Sequence, residues 1–215
     1  MITEAERDAV YKTIFNRRDV RGEFKADAIP EEVLMRILTA AHHVPSVGFM
    51  QPWDFVVVKD STVKAKIKAG FEVANKKAVT MFDTEKQEAY KKLKLEGILE
   101  APIGICITCD KSRSGSVVLG RTENKEMDVY SSVCAVQNLW LAARAENLGV
   151  GWVSIISHDT LREALNMPKD IIPIAYLCIG YVSSFYEKPE LEKKGWLPRL
   201  ELDSIIHYNQ WKDVK

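Results

Sequence analysis

Two short polar segments near the N-terminus carry the side chains best suited to chemistry. The first is RRDVR, residues 17–21, in which three arginines surround Asp19. A guanidinium can hold a phosphate through two parallel hydrogen bonds, and two such groups can neutralise a phosphate dianion. Asp19 lies beside cations, so we expect it to be ionised at neutral pH and able to accept a ring N–H or a reacting proton. For the pentapeptide alone, a solvated network of surface charges is the simpler explanation.

The second segment is AHHVPSVGFMQPW, residues 41–53, which predicts a compact turn between a helix and a strand. His42 and His43 are neighbours on the predicted helix, so their side chains point about 100° apart and are poorly placed to share a metal. No carboxylate or cysteine lies at ligand spacing. A structural or capping role is therefore predicted for both histidines, and no metal site is expected.

Two other segments are weaker candidates. GVGWVSI, residues 149–155, combines small residues that allow close backbone approach with the hydroxyl of Ser154. LGRT lies within the polar segment 111–128, which is too long for a simple connection and is a candidate lid or binding loop. We expect Arg121 of that segment to be solvated at the surface.

The four cysteines are predicted to be packed thiols. Cys106 and Cys109 form a C-x-x-C pair within an apolar, β-branched segment that is typical of a buried strand. Side chains three residues apart on a strand point to opposite faces and cannot share a metal or a disulfide. Cys134 and Cys178 also lie in apolar periodic segments, so we expect them to be buried as well.

The composition excludes several classes of function. Thirty basic residues balance thirty acidic ones, so no long-range field attracts nucleic acid or an anionic membrane. No apolar run approaches the roughly 20 residues that span a bilayer, and the polar N-terminus does not resemble a signal peptide. A cytoplasmic location is expected. The dinucleotide fingerprint, the Walker sequence, HExxH and G-x-S-x-G are all absent.

Hydrophobic periodicity predicts a layered α/β or α+β domain in which strands alternate with helices, with the strand order left open. Predicted helices cover 3–15, 30–43, 128–148 and 158–166, with two or more within 62–99, and predicted strands cover 54–60, 103–110, 151–156 and 173–182. The helix 128–148 is apolar on most of its circumference, which predicts burial inside the fold or at a subunit contact. Gly149 is expected to end this helix as its C′ residue.

One domain spanning residues 1–215 is predicted, since a chain of this length can bury a single core. Residues from about 183 to 215 lack regular periodicity and carry Trp196 and Trp211. We expect this segment to be an extended arm that packs on a partner subunit.

Taken together and in this order, RRDVRGEF, PSVGFMQPWDF and GVGWVSI resemble the nitroreductase-like flavoprotein superfamily. Ordinary members usually carry Asn where this chain has Phe49, and Ser or His where it has Asp19. With these departures, and with LEGILEAPIGICITCD, VLGRT and AYLCIGYV, the chain resembles the BluB family of 5,6-dimethylbenzimidazole synthases over nearly its whole length. The resemblance implies a nitroreductase-like α+β fold, with a central, mostly antiparallel sheet flanked by helices, in a domain-swapped homodimer.

The resemblance also implies roles for individual residues. Arg17 and Arg18 would bind the FMN phosphate or ribityl chain, with help from Arg199 of the arm. Asp19 and Ser154 would lie beside the isoalloxazine ring as the catalytic residues. The other implied FMN contacts are Val20, Arg21, Pro45, Ser46, Val47, Leu95, Trp152 and Val153.

The implied activity is the oxygen-dependent fragmentation of reduced FMN to 5,6-dimethylbenzimidazole and erythrose 4-phosphate. Reduced FMN is then the substrate, molecular oxygen is the co-substrate, and a separate flavin reductase is the implied partner. An NAD(P)H-dependent nitroreductase or flavin reductase is the alternative, in which the ring face must stay open to nicotinamide. A flavin carrier or redox sensor without catalytic activity is the third possibility.

Overall fold

The computed structural model describes residues 1–211 and contains one four-stranded sheet. Its strands are β1 (Phe55–Val58), β2 (Ile103–Asp110), β3 (Leu148–Val153) and β4 (Ile171–Tyr181). They are ordered β1-β2-β4-β3, and every neighbouring pair is antiparallel. The central strands β2 and β4 are buried along most of their length, as expected for strands that are covered on both faces. The predicted α+β fold with an antiparallel sheet is confirmed.

The described residues form seven α-helices: α1 (Glu4–Asn16), α2 (Glu31–His42), α3 (Ser61–Val79), α4 (Thr84–Lys91), α5 (Met127–Ala145), α6 (His158–Leu165) and α7 (Glu190–Lys193). Four of these helices have a polar N-cap residue. The side chains of Thr3, Asp60, Asp83 and Ser157 accept hydrogen bonds from backbone N–H groups of the first turn. The first six helices confirm the predicted helical segments. Among residues 1–211, no helix is both long and apolar enough to cross a bilayer.

The sheet separates two hydrophobic clusters. Alternate side chains of a strand point to opposite faces, so Ile105 and Ile107 of β2 pack with α2 and α5, while Cys106 faces the other cluster. That second cluster contains Ile67 and Phe71 of α3. Both clusters have members with no exposed surface, as expected of a close-packed interior on each face of the sheet.

Three details of the sequence interpretation are wrong: the end of the long helix, the role of Gly149 and the burial of Cys134. The long helix ends at Ala145, and Asn147 takes the left-handed turn with φ 58°, whereas Gly149 lies within β3. Asn tolerates this conformation because its short polar side chain can bond locally. Cys134 is exposed, because α5 buries one face and Cys134 lies on the other. Burial of the other three thiols, those of Cys106, Cys109 and Cys178, is confirmed.

The C-terminal part of the chain forms a small unit of its own that begins at Tyr186, three residues after the predicted start of the arm. It contains α7 and a short 3-10 helix, Leu202–Ile205, and it has no strand within residues 186–211. Its Leu197, Leu202 and Trp211 are exposed. Residues 212–215 of the predicted arm lie outside the described residues.

A segment outside the four strands covers part of the edge of β3. Asp19 forms a parallel bridge with Val150, and the backbone N–H of Val20 donates to the Val150 carbonyl at 2.9 Å. The approach is so close that a Cβ on Gly151 would lie 2.0 Å from the Val20 carbonyl oxygen. The small residues of β3 are therefore a steric requirement for this pairing.

We predict that Gly151→Ala destabilises the protein by about 2 kcal/mol or more, because the added methyl group must displace backbone atoms. Chemical denaturation measures the change. Gly22→Ala is the matched control, since a Cβ there would meet only the Lys94 side chain at an ordinary 3.7 Å. Equal stability of the two variants would contradict the steric interpretation.

Candidate functional site

The arginine segment 17–21 begins where α1 ends and is anchored on α5. The guanidinium of Arg17 lies over the Trp140 ring, 4.8 Å from its centroid. The indole Nε1 of Trp140 donates to the Arg18 carbonyl at 3.2 Å. Arg18 donates through Nη1 to the carbonyls of Phe15 at 2.8 Å and Arg17 at 2.7 Å. The segment is thus an ordered, partly buried structure, not a loose surface network.

Asp19 is the central acid of this segment. Its Oδ1 accepts the backbone N–H of Trp152 at 3.1 Å, and its Oδ2 pairs with Arg21. Burial raises the pKa of Asp19 and outweighs the opposing effects of Arg21 and Arg17, so its pKa lies above the ordinary value. The neighbouring cations favour ionisation of Asp19, but removal from water is the larger effect on its pKa. A carboxyl of this kind suits proton transfer.

Three further predicted residues lie at the end of β3, beside Asp19. Trp152 supplies the N–H that binds the carboxylate, and the side chain of Val153 is buried in the second core cluster. Ser154 is exposed and follows directly after the strand, two residues from Trp152. The side chain of Val20 is buried, so its contribution to a site is made through its backbone. The structure therefore brings Arg17, Arg18, Asp19, Arg21 and Ser154 into one region.

The segment 45–47 lies at the other end of α5. Ser46 Oγ accepts the backbone N–H of Gln51, and the N–H of Val47 donates to Ser131 Oγ of α5, each at 3.1 Å. Both Gly48 and Phe49 have positive φ, of 52° and 53°, which produces the tight turn that Pro45 and Gly48 predict. Phe49 is 78% exposed at the tip of that turn.

The two histidines before this turn have structural roles, as predicted. His42 Nδ1 accepts the indole N–H of Trp53 at 3.1 Å, which ties the end of α2 to the chain entering β1. His43 is the C-cap residue of α2, and its Nδ1 lies 2.8 Å from the Thr39 carbonyl oxygen. No cluster of three potential metal ligands occurs in residues 1–211.

The polar loop 111–126 packs on the turn at Gly48. A Cβ on Gly48 would lie 2.6 Å from Val118 Cγ1 and 2.9 Å from the Leu119 carbonyl oxygen, so only glycine fits. The expectation that Arg121 is solvated at the surface is wrong. Its side chain is 10% exposed and pairs at 2.5 Å with Asp128 of α5, which is fully buried. The sequence lacked a signal for this pair, because its two members meet only when the loop folds back on α5.

Leu95 and Arg199 complete the predicted set. Leu95 is half-buried and lines a surface cavity of about 450 Å³ together with Lys68 and Phe71 of α3. It lies two residues before Gly97, which contacts the Arg21 carbonyl. Arg199 belongs to the separate C-terminal unit.

The arginine segment and the turn at Val47 are anchored at two different positions along α5. The arginine segment contacts α5 at Trp140, whereas Val47 contacts it at Ser131, nine residues earlier. With a rise of about 1.5 Å per residue, these anchoring points are separated by roughly 14 Å along the helix. Within one chain these predicted residues therefore fall into two groups, one at each end of α5, which we call the two partial sites.

Comparisons with known proteins agree with this architecture. A model of the nitroreductase family matches residues 14–181. The chain is 44% identical to 5,6-dimethylbenzimidazole synthase of Rhodospirillum rubrum over 85% of this chain and 86% of that protein. It is 36% identical to 5,6-dimethylbenzimidazole synthase of Rhodobacter capsulatus over 92% of this chain and 95% of that protein.

The fold agrees with a solved structure of oxidized iodotyrosine deiodinase bound to FMN and 3-iodo-L-tyrosine. The TM-score is 0.74 at 25% identity, and the match covers 94% of this chain and 100% of that chain. The family model, the two synthases and this structural likeness identify the same relationship: the chain belongs to the nitroreductase family and, within it, is related to the 5,6-dimethylbenzimidazole synthases.

Proposed function

We propose that this protein is a 5,6-dimethylbenzimidazole synthase, which fragments reduced FMN with molecular oxygen and forms the lower ligand of vitamin B12 together with erythrose 4-phosphate. The observation that carries the proposal is the attachment of Asp19 to the end of β3, two residues before Ser154, in a chain 44% identical to a synthase of that name. FMN is the substrate, and a separate flavin reductase supplies its reduced form.

The side chains of the two partial sites fit FMN. Arg17 and Arg18 offer guanidinium groups for the phosphate or ribityl chain, and Arg199 offers a third. The glycine at position 48, whose Cβ would collide with the polar loop, leaves a tight turn beside Ser46 and Val47 for the flavin. Asp19 offers an acceptor for a ring N–H, or a base.

In this proposal Asp19 accepts or holds a proton during ring cleavage, a role that suits a buried carboxyl whose pKa lies above the ordinary value. Ser154 donates a hydrogen bond to the flavin or to bound oxygen, a fixed contact that costs no reorganisation during the reaction. The turn at Gly48, the loop 111–126 and the segment around Leu95 exclude water, so that oxygen chemistry does not end in the release of peroxide. Bound FMN supplies the electrons and the atoms of the product.

A product assay tests the function directly. The protein is incubated with FMN, an NADH-driven flavin reductase and oxygen, and 5,6-dimethylbenzimidazole is sought by mass spectrometry. Its formation supports the synthase. Robust oxidation of NAD(P)H by the protein alone, with tightly bound yellow FMN and no new heterocycle, would instead identify a nitroreductase or flavin reductase. Binding of reduced FMN without either reaction would identify a carrier or sensor.

We predict that Asp19→Asn and Ser154→Gly still bind FMN and consume oxygen, but release peroxide or oxidised FMN in place of 5,6-dimethylbenzimidazole. The first change removes the base while keeping its shape, and the second removes the hydroxyl donor. The ratio of product to oxygen consumed measures this uncoupling. Asp27→Asn, at an exposed position, is the control. If either variant forms 5,6-dimethylbenzimidazole at the wild-type ratio to oxygen consumed, the role assigned to that residue is wrong.

The same assignment gives a pH dependence. A base works only when it is deprotonated, so product yield should fall as the pH drops through the raised pKa of Asp19. This loss should begin at a higher pH than the ionisation of an exposed aspartate would give. Asp19→Asn should lack this acidic limb in its residual yield.

We predict that Arg18→Ala weakens binding of reduced FMN by about 1.5–3 kcal/mol, the scale of a charge-assisted contact to phosphate. Anaerobic titration measures the affinity. Riboflavin lacks the phosphate, so the same substitution should change its affinity much less. Arg36→Ala is the control, because Arg36 is exposed and pairs with Glu146 at the surface. Unchanged FMN affinity would show that the assignment is wrong.

We also propose that the active form is an obligate homodimer with two FMN sites, each built from the arginine segment of one copy and the turn 45–49 of the other. The separation of these parts along α5 supports this arrangement. So does α1, which buries no residue and exposes Val10, Tyr11 and Phe15.

The dimer predicts a particle of about twice the 24.4 kDa chain mass in solution scattering at micromolar protein. A second check uses mixed dimers. Co-expressed Asp19→Asn and Gly48→Trp chains should give one intact site per mixed dimer and recover part of the activity that each variant loses alone. A monomer in scattering, or no recovery in the mixture, would contradict the shared site.

A further inference from the structure

Glu96 is a buried carboxylate that the proposed reaction does not use. It lies in the segment 94–101 between α4 and β2, which we call the strap. Its side chain is 3% exposed and accepts three hydrogen bonds, from Lys68 Nζ at 2.7 Å, Lys94 Nζ at 3.0 Å and the Ile98 backbone N–H at 2.8 Å. Burial raises the pKa of Glu96, but these three donors together outweigh it and lower the pKa below the ordinary value.

The strap is attached to α3 at both of its ends. Lys68 of α3 reaches Glu96, and Lys64, one turn earlier on the same face, donates to the carbonyls of Ala101 at 2.6 Å and Pro102 at 2.9 Å. Lys64 is itself buried. Two lysines of one helix thus fix the strap at two points, while Ile67 between them lies in the core.

The fixed strap lies directly against the arginine segment. A Cβ on Gly97 would lie 2.6 Å from the Arg21 carbonyl oxygen and from the Phe24 ring, so the two backbones are in contact. Arg21 in turn pairs with Asp19. Leu95 immediately precedes Glu96, so the carboxylate sets the position of Leu95 on one side and of Gly97 on the other.

A buried charge with three donors adds little net stability, because its desolvation offsets the attraction and well-packed apolar residues of similar volume often stabilise as much or more. What the three donors provide is a defined position, since a carboxylate held by two side chains and one backbone N–H has little freedom. Lys68 belongs to α3 and Lys94 to the strap. The Glu96 carboxylate, which binds both, therefore joins the two elements.

We infer that Glu96 is a positioning residue for the flavin site: it holds Gly97 against the arginine segment and thereby fixes the orientation of Arg21 and Asp19. The inference rests on the proposed function for the identity of FMN as the ligand. It does not rest on the fate of FMN after binding.

The test compares Glu96→Gln with Glu100→Gln. Both remove one negative charge from the strap, and both carboxylates bind Lys94, but Glu100 is 41% exposed. We expect Glu96→Gln to weaken FMN binding by about tenfold, to change the visible circular dichroism of bound FMN, and to lower the ratio of product to oxygen consumed. Glu100→Gln should change none of these.

Chemical denaturation of each variant separates positioning from stability. If Glu96→Gln is too unstable to assay, Lys68→Met replaces it, because Glu96 then keeps Lys94 and Ile98 and loses only the tie to α3. Lowered stability with unchanged FMN affinity and dichroism would overturn the inference. Because affinity and dichroism need no turnover, a wild-type protein that binds FMN without forming the product would refute the proposed function and still leave Glu96 testable.

Discussion

The backbone pairing between the Asp19–Val20 segment and β3 is the contact on which the rest of the site depends. It requires Gly151, because any side chain there would collide with the Val20 carbonyl, and it covers part of an edge strand whose backbone would otherwise remain open. Through this pairing the end of β3 brings the Trp152 N–H to the Asp19 carboxylate. The steric freedom of one glycine thus decides where an acidic group lies and how far it is removed from water.

Three buried or half-buried ion pairs of the fold serve geometry more than stability. Asp19 pairs with Arg21 within the arginine segment, whereas the pairs Asp128–Arg121 and Glu96–Lys68 each join a loop or the strap to a helix. Desolvation consumes much of the attraction within such pairs. Their contribution is a fixed orientation, because a carboxylate with several donors has one favourable position.

The position of α5 explains why the site is divided. One face of this helix packs on the sheet, its first turns hold Val47 through Ser131, and its later turns hold the arginine segment through Trp140. The helix is long enough to keep these two groups apart within one chain. This separation is the feature that links the proposed assembly to the proposed chemistry.

The sequence by itself determined the elements and the identity of the reactive groups. Strands such as 103–110 and helices such as 158–166 were predictable because hydrophobic periodicity and breaker residues act locally, and RRDVR and PSVGFMQPW carried the resemblance to a flavoprotein family. The tertiary structure decided the environments. Burial of Arg121 against Asp128 depends on how the loop folds back on α5. The upward shift of the Asp19 pKa, the contact of Glu96 with Lys68 and the position of Gly149 within a strand depend on partners that are distant in the chain. Solvent exclusion is a property of packed surfaces, so no local pattern specifies which charges lose their water.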